Sequence, residues 1–237
     1  MMRVMITRPR ADAEALAALL AERGIESFIE PLLEIIPRPD PMLDFDDVQA
    51  VLLTSANGAR ALGTATGRRD LALYAVGPAT AAAAREAGFS SVATAGGDVK
   101  ALAELVETEC DSSAGALLHV SGSAVAGDLA GRLNAAGFLT RRAVLYEARP
   151  AVTLSDAAVA ALSRGEIDAV LLFSPRTARS FVRLSHRASL DLRRLRALCL
   201  SPAVANEAEA APWGAVAVAE QPDQDALLAL IHDTKDQ

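Results

Sequence analysis

No uninterrupted apolar run in this chain approaches the ~20 residues that a membrane-spanning helix needs, so no membrane span is expected. The opening MMRVMITRPRADAE has a strand-length apolar stretch and then charges, not the longer apolar core of a secretory signal. A cytoplasmic location is the expectation. Positive charge is in deficit: the formal net charge is −7, which argues against a nucleic-acid surface, where a basic field is expected. An anionic small ligand stays open, because helix N-termini and a few local arginines bind carboxylates against the global sign. Aromatic residues are scarce, 4% of the chain, and only Tyr74 and Tyr146 carry a phenol. The two cysteines, Cys110 and Cys199, lie far apart in different contexts, so they read as small packing residues rather than a disulfide.

Several familiar catalytic signatures are missing as well. Gly122 and Gly127 have the spacing of a phosphate loop, but Asp128 and Leu129 stand where lysine and a hydroxyl residue would hold phosphate and magnesium. No GxGxxG follows a strand, so a dinucleotide fold has no support. His119, His186 and His232 share no ligand spacing; His119 falls in a strand and reads as a core or edge residue, and no metal site is expected. Ser55, Ser174 and Ser201 lie outside any GxSxG motif.

What is present is a repeat. AVLLTSANGAR from Ala50 returns as AVLLFSPRTAR from Ala169, AVGPATAAA from Ala75 as CLSPAVANE from Cys199, and DVKALAELV from Asp98 as QDALLALI from Gln224. The remaining segments pair off too. RVMITRP with a helix capped by Asp12 and closed by Gly24 is matched by ALLHVSGS with a helix closed by Gly137. The order is thus A, B, A′, B′. Apolar runs of four to six residues alternating with amphipathic helices indicate parallel sheets covered on both faces. Hydrophobic residues make up 51% of 237, enough for two cores of roughly 110 residues each.

Both A-to-B junctions are extended and end in proline, whereas the B-to-A′ junction CDSSAG looks like an ordinary loop. Matched crossings favour an insertion: residues 1–37 with 150–237 as a discontinuous outer domain, and 38–149 as the domain within it. The fold class is α/β, two similar flavodoxin-like three-layer lobes joined by a two-stranded linker.

The polar turns at the strand ends open at one edge of each parallel sheet, which suits binding through hydroxyls and amides, although helix capping alone also explains them. Tyr146, at the end of RRAVLY, either packs at a domain edge or presents its phenol to a ligand.

In order and spacing these segments resemble the uroporphyrinogen-III synthase family. ITRP, PLLEIIP, VLLTSANGAR, AVGPATAAAAREAGF, LLHVSGSAVAGDLAGRLNAAGF, AVLYEARP, LLFSPRTARSF and PDQDALLALI carry the likeness across nearly the whole chain. The resemblance implies a cofactor-free lyase that closes hydroxymethylbilane, a small linear tetrapyrrole, into uroporphyrinogen III with inversion of ring D and loss of water. A monomer is expected separately, because the crossing linkers and the lack of a long apolar surface helix leave little to lock the lobes. The resemblance also implies Tyr146 as candidate acid. The binding turns it implies are Thr54-Ser55, Gly77 to Thr80, Ser121-Gly122-Ser123 and Ser174-Pro175. Ser201 opens the last such turn, but Ala203 and Val204 replace the threonines usual there. Arg8, with Arg10, Arg60, Arg176 and Arg179, supplies local cations for the substrate carboxylates. The rival reading is a non-catalytic bilobed binder of a tetrapyrrole or other polyanion.

Overall fold

Apolar quartets set the strands, and the Ala/Leu-rich stretches between them set the covering helices. A computed structural model describes residues 2–39, 41–125 and 127–231. Chain order is β1 (Arg3–Ile6), α1 (Arg10–Glu22), β2 (Glu26–Ile29), β3 (Leu33–Pro37), β4 (Val48–Leu53), α2 (Ala56–Ala65), β5 (Leu73–Ala75), α3 (Pro78–Glu86), β6 (Val92–Thr94), α4 (Val99–Glu109), β7 (Ala116–Gly122), α5 (Leu129–Ala135), β8 (Thr140–Pro150), α6 (Asp156–Ser163), β9 (Ala169–Leu172), α7 (Pro175–Arg187), β10 (Arg196–Cys199), α8 (Pro202–Ala208), β11 (Ala215–Val218) and α9 (Gln224–Ala229). They form two compact units, one from the chain up to Glu34 together with the chain from Arg149, the other from Ile35–Ala148. The chain passes between units within β3 and β8, which are neighbouring strands.

The discontinuous unit holds a parallel sheet in the order β11-β10-β9-β1-β2. Side chains alternate across it as the pleat requires. Met5, Val170, Leu172 and Ala197 face α6, α7 and α8, while Val4, Ile6, Leu171 and Leu198 face α1 and α9. Phe181 of α7 stacks on Trp213 with centroids 5.4 Å apart. Glu30, just past β2 and buried, accepts from the backbone N–H and the hydroxyl of Ser155, both at 2.7 Å, which ties the sheet edge to the start of α6.

The contiguous unit has the order β3-β8-β7-β4-β5-β6, with the five strands from β8 to β6 parallel. Val51, Leu53, Leu118 and Val120 pack under α2 and α3, and Ala50, Leu52 and Leu117 under α4 and α5. Leu52 and Leu53 are fully buried, each contributing roughly 1.5–3 kcal/mol of transfer free energy.

Helix starts follow capping chemistry. Ser55, Asp98, Asp128, Ser155, Ser174 and Asp223 each accept from the backbone N–H three residues on, filling a donor the helix leaves open. Gly77 and Ser201 make no such bond and are followed by proline at the first helical position. Asp12 does not cap α1, contrary to the sequence expectation. The helix begins earlier, behind Pro9, whose ring presets a helix-compatible φ; Asp12 sits in the first turn, 3.5 Å from Arg8.

Candidate active site

Parallel strands place the ends of β4, β5 and β7 on one edge of the contiguous unit's sheet, so Thr54-Ser55, Gly77 and Ser121-Gly122-Ser123 all lie there. Tyr146 joins them because of an irregularity. The β7–β8 register runs regularly to Ser121↔Val144 and then jumps to Gly122↔Tyr146. Strict alternation would point Tyr146 away from the face Leu145 uses. The extra residue re-aims it, and both side chains pack into the core under α2 and α3.

The ring of Tyr146 then lies on Gly122. A Cβ at that position would sit 2.7 Å from Cε2 and 2.9 Å from Cζ of the phenol, so any side chain there displaces the ring. The tyrosine is 7% exposed, and its Oη is 2.9 Å from Ser55 Oγ. Ser55 Oγ also accepts from Gly58 N–H at 3.1 Å, which leaves the serine one proton to give. If that proton goes to Tyr146, the phenol's own proton is available to another acceptor, and a phenolate formed by giving it up keeps a donor beside it.

A second polar group lies on the opposite face of the sheet. His119, buried in β7, has Nε2 3.2 Å from Thr54 Oγ1. Burial, and then the nearby charge of Arg142, push its pKa down to about 4, so the imidazole is neutral near pH 7 and gives no acid there. Arg142 donates to Ser121 Oγ and to the carbonyls of Gly122 and Ser123. His119 here fits its strand reading, whereas nothing in the sequence singled out Arg142. The one available signal was a pair of arginines directly preceding the apolar run Ala143–Leu145.

The remaining candidates differ in exposure and in place. Ser121 is buried with its hydroxyl bonded to Arg142, and Thr80 is buried in α3, while Ser123 is exposed. Arg8, Ser174-Pro175 and Ser201 belong to the discontinuous unit, at the ends of β1, β9 and β10. Ser174 Oγ caps α7 and bonds Thr177 Oγ1 at 2.8 Å. Arg8 lies 4.7 Å over the Phe173 ring and donates to Gln224 Oε1 at 3.0 Å. Arg10 and Arg179 are ion-paired with Glu14 and Glu207, Arg60 bonds Asn57 Oδ1, and Arg176 is exposed. A concavity of about 510 Å³, lined by Val182, His186, Leu190 and Pro212 among others, sits at the far end of α7 from Ser174. His232 lies outside the described residues. Among those described, no group of three or more His, Cys, Asp or Glu side chains could hold a metal ion.

Comparison with known proteins gives a consistent set of relatives. The family model described as uroporphyrinogen-III synthase HemD matches residues 14–229. A uroporphyrinogen-III synthetase structure from Helicobacter pylori superposes with a TM-score of 0.69 at 18% identity, covering 99% of this chain and 100% of that one. A mutant uroporphyrinogen III synthase from Thermus thermophilus gives 0.58 at 20% identity, with full coverage of both chains. These two likenesses establish the fold. A provisionally named uroporphyrinogen-III synthase of Methanocaldococcus jannaschii is 39% identical over 57 residues, a match spanning 24% of each sequence.

Proposed function

The chain belongs to the uroporphyrinogen-III synthase family, and from that premise we propose that it cyclises hydroxymethylbilane to uroporphyrinogen III in porphyrin and heme biosynthesis. In this reaction the terminal hydroxymethyl C–O bond breaks, the hydroxyl leaves as water with one added proton, and an electron-poor azafulvene remains. The substituted carbon of the distal ring attacks it, and the resulting spiro intermediate fragments and recloses with ring D inverted. The pyrroles supply the electrons, so the reaction as proposed calls on no cofactor.

The protein must then supply geometry and a proton. Holding the substrate so that the substituted carbon, rather than the free end, meets the azafulvene is catalysis by orientation. Tyr146 is the proposed acid, and the observation that carries the assignment is its placement. A bulge aims the phenol at a strand-end edge, Gly122 seats its ring, and Ser55 stands 2.9 Å from its oxygen as a hydrogen-bond donor for the phenolate. A role of this kind is worth roughly 10²–10⁴-fold.

The proposed binding groups are the strand-end turns of each unit: Thr54-Ser55, Gly77 to Thr80 and Ser121 to Ser123 in one, Arg8, Ser174-Pro175 and Ser201 in the other. Thr80 and Ser121 enter through their backbone, since their side chains are buried. The same reading takes the protein as a cytoplasmic monomer acting on a free small molecule; its acidic balance supports a partner other than nucleic acid.

Product analysis tests the proposal. Hydroxymethylbilane is incubated with the protein, oxidised, and the uroporphyrin isomers separated. Type III is the expected product; type I alone, as from the free substrate, would refute it.

A further inference from the structure

Arg142 has no role in the reaction as proposed, yet its guanidinium holds the β7–α5 turn together. Nε donates to Ser121 Oγ at 2.8 Å, and Nη2 donates to the carbonyls of Gly122 at 2.6 Å and Ser123 at 2.9 Å. Three acceptors from consecutive residues thus converge on one planar cation, a geometry that a fork of fixed donors can meet and a single ammonium cannot.

The peptide planes carry the consequence onward. A trans peptide directs its N–H opposite to its carbonyl, so turning both carbonyls toward Arg142 turns both following amides away. The first, from Ser123, donates to the carbonyl of Tyr146 at 2.9 Å. The second, from exposed Ala124, has no hydrogen-bond partner among the described residues. Gly122, whose carbonyl is the closest of the three acceptors, is also the seat of the Tyr146 ring. One guanidinium therefore fixes both the residue under the phenol and the direction of an unused backbone donor.

We propose that Arg142 is a positioning residue: it clamps the Ser121–Ala124 turn so that Gly122 holds Tyr146 in place and the Ala124 amide is presented to a substrate carboxylate. The catalytic part of this inference rests on the synthase reading above. Arg142 is itself exposed, so its replacement leaves the core intact. A competing role, a surface cation attracting carboxylates directly, makes opposite predictions for lysine.

The test compares Arg142→Met, Arg142→Lys and Arg142→Ala with the wild type, by kinetics on hydroxymethylbilane and by hydrogen exchange at the Ser123 amide. The clamp predicts that Met, which loses all three bonds, and Lys, which cannot reproduce the fork, both lower kcat and raise KM, each by about tenfold or more, as the loss of charge-assisted bonds implies. It also predicts Ser123 exchange faster by about tenfold in both, and partial recovery of Arg142→Ala by added guanidinium ion. A lysine variant with wild-type kcat, KM and exchange overturns the clamp, as does a methionine variant in which only KM rises and exchange is unchanged. If the wild type forms no type III isomer, the synthase reading fails on its own; the exchange measurement still decides whether Arg142 fixes the turn.

Discussion

Strands β4 and β9, which carry the repeated AVLL from Ala50 and Ala169, hold the same place in their sheets, yet their surroundings differ in kind. In one unit Leu52 pairs with His119, which pairs in turn with Arg142; in the other Leu171 pairs with Ile6, which pairs with Ile29. Two residues on, along the same face, stands Thr54, bonded to His119, in the first unit and Phe173, packed under Arg8, in the second. Both following serines cap a helix, but Ser55 is bonded to a buried phenol and Ser174 to the neighbouring Thr177. A parallel sheet tolerates either set because each position asks only for matching volume and satisfied polar atoms. The contiguous unit carries the polar version of a shared plan, and the discontinuous unit carries the apolar one.

The sharpest way to break that contrast is to remove the phenol, which reduces Ser55 to a capping residue like Ser174. Tyr146→Phe is expected to lower turnover by roughly ten- to several-hundredfold while product affinity stays near wild type, because only the leaving-group interaction is lost. Steady-state kinetics with equilibrium dialysis of the product separates the two. Wild-type turnover in the variant would remove the acid role and leave the two serines equivalent.

The shared plan was legible in the sequence because it rests on local signals: apolar runs, helix-closing glycines and the repeat itself. The differences were not, because they depend on pairing. The facing of Tyr146 follows from a register jump opposite Ser121 and Gly122, and no pattern within RRAVLY encodes it. Arg142 acts on backbone carbonyls some twenty positions away, which no motif records. Hydroxyls in strand-end turns looked alike in sequence, yet Ser55 and Ser174 are spent partly on their own helices and Ser121 on an arginine. Asp12 was misplaced as a cap because Pro9, a residue with no side-chain acceptor, starts the helix instead.

Acid should separate the units next. His119 is held neutral down to about pH 4 against an ordinary value of 6.5. Above pH 6.5 the imidazole is neutral in both folded and unfolded chains, and its contribution is fully present. As pH falls from 6.5 to about 4 the unfolded chain takes up a proton that the folded one refuses, so stability drops by up to about 3 kcal/mol. Separate probes exist: the single tryptophan, Trp213, stacks in the discontinuous unit, and Tyr74 and Tyr146 both lie in the contiguous one. Urea unfolding followed by tyrosine signals should show this loss, and His119→Ile, which copies Ile6, should flatten it. An unchanged pH slope in that variant would assign the acid sensitivity to other groups.

The smallest expected difference lies between the two caps themselves. Ser55→Ala and Ser174→Ala each remove a side-chain acceptor from a helix N-terminus, at a cost of about 1 kcal/mol. The losses should then diverge. Thr177, partner of Ser174, is partly exposed, so its hydroxyl turns to water. Tyr146, partner of Ser55, is nearly enclosed, and a buried hydroxyl left without a bond costs roughly 1 kcal/mol more. Unfolding of Ser55→Ala by tyrosine signals and of Ser174→Ala by Trp213 fluorescence should therefore give the larger loss for Ser55. Equal losses would mean that water reaches the Tyr146 hydroxyl once the serine is gone, and that Ser55 matters to the phenol as a proton partner rather than as a brace.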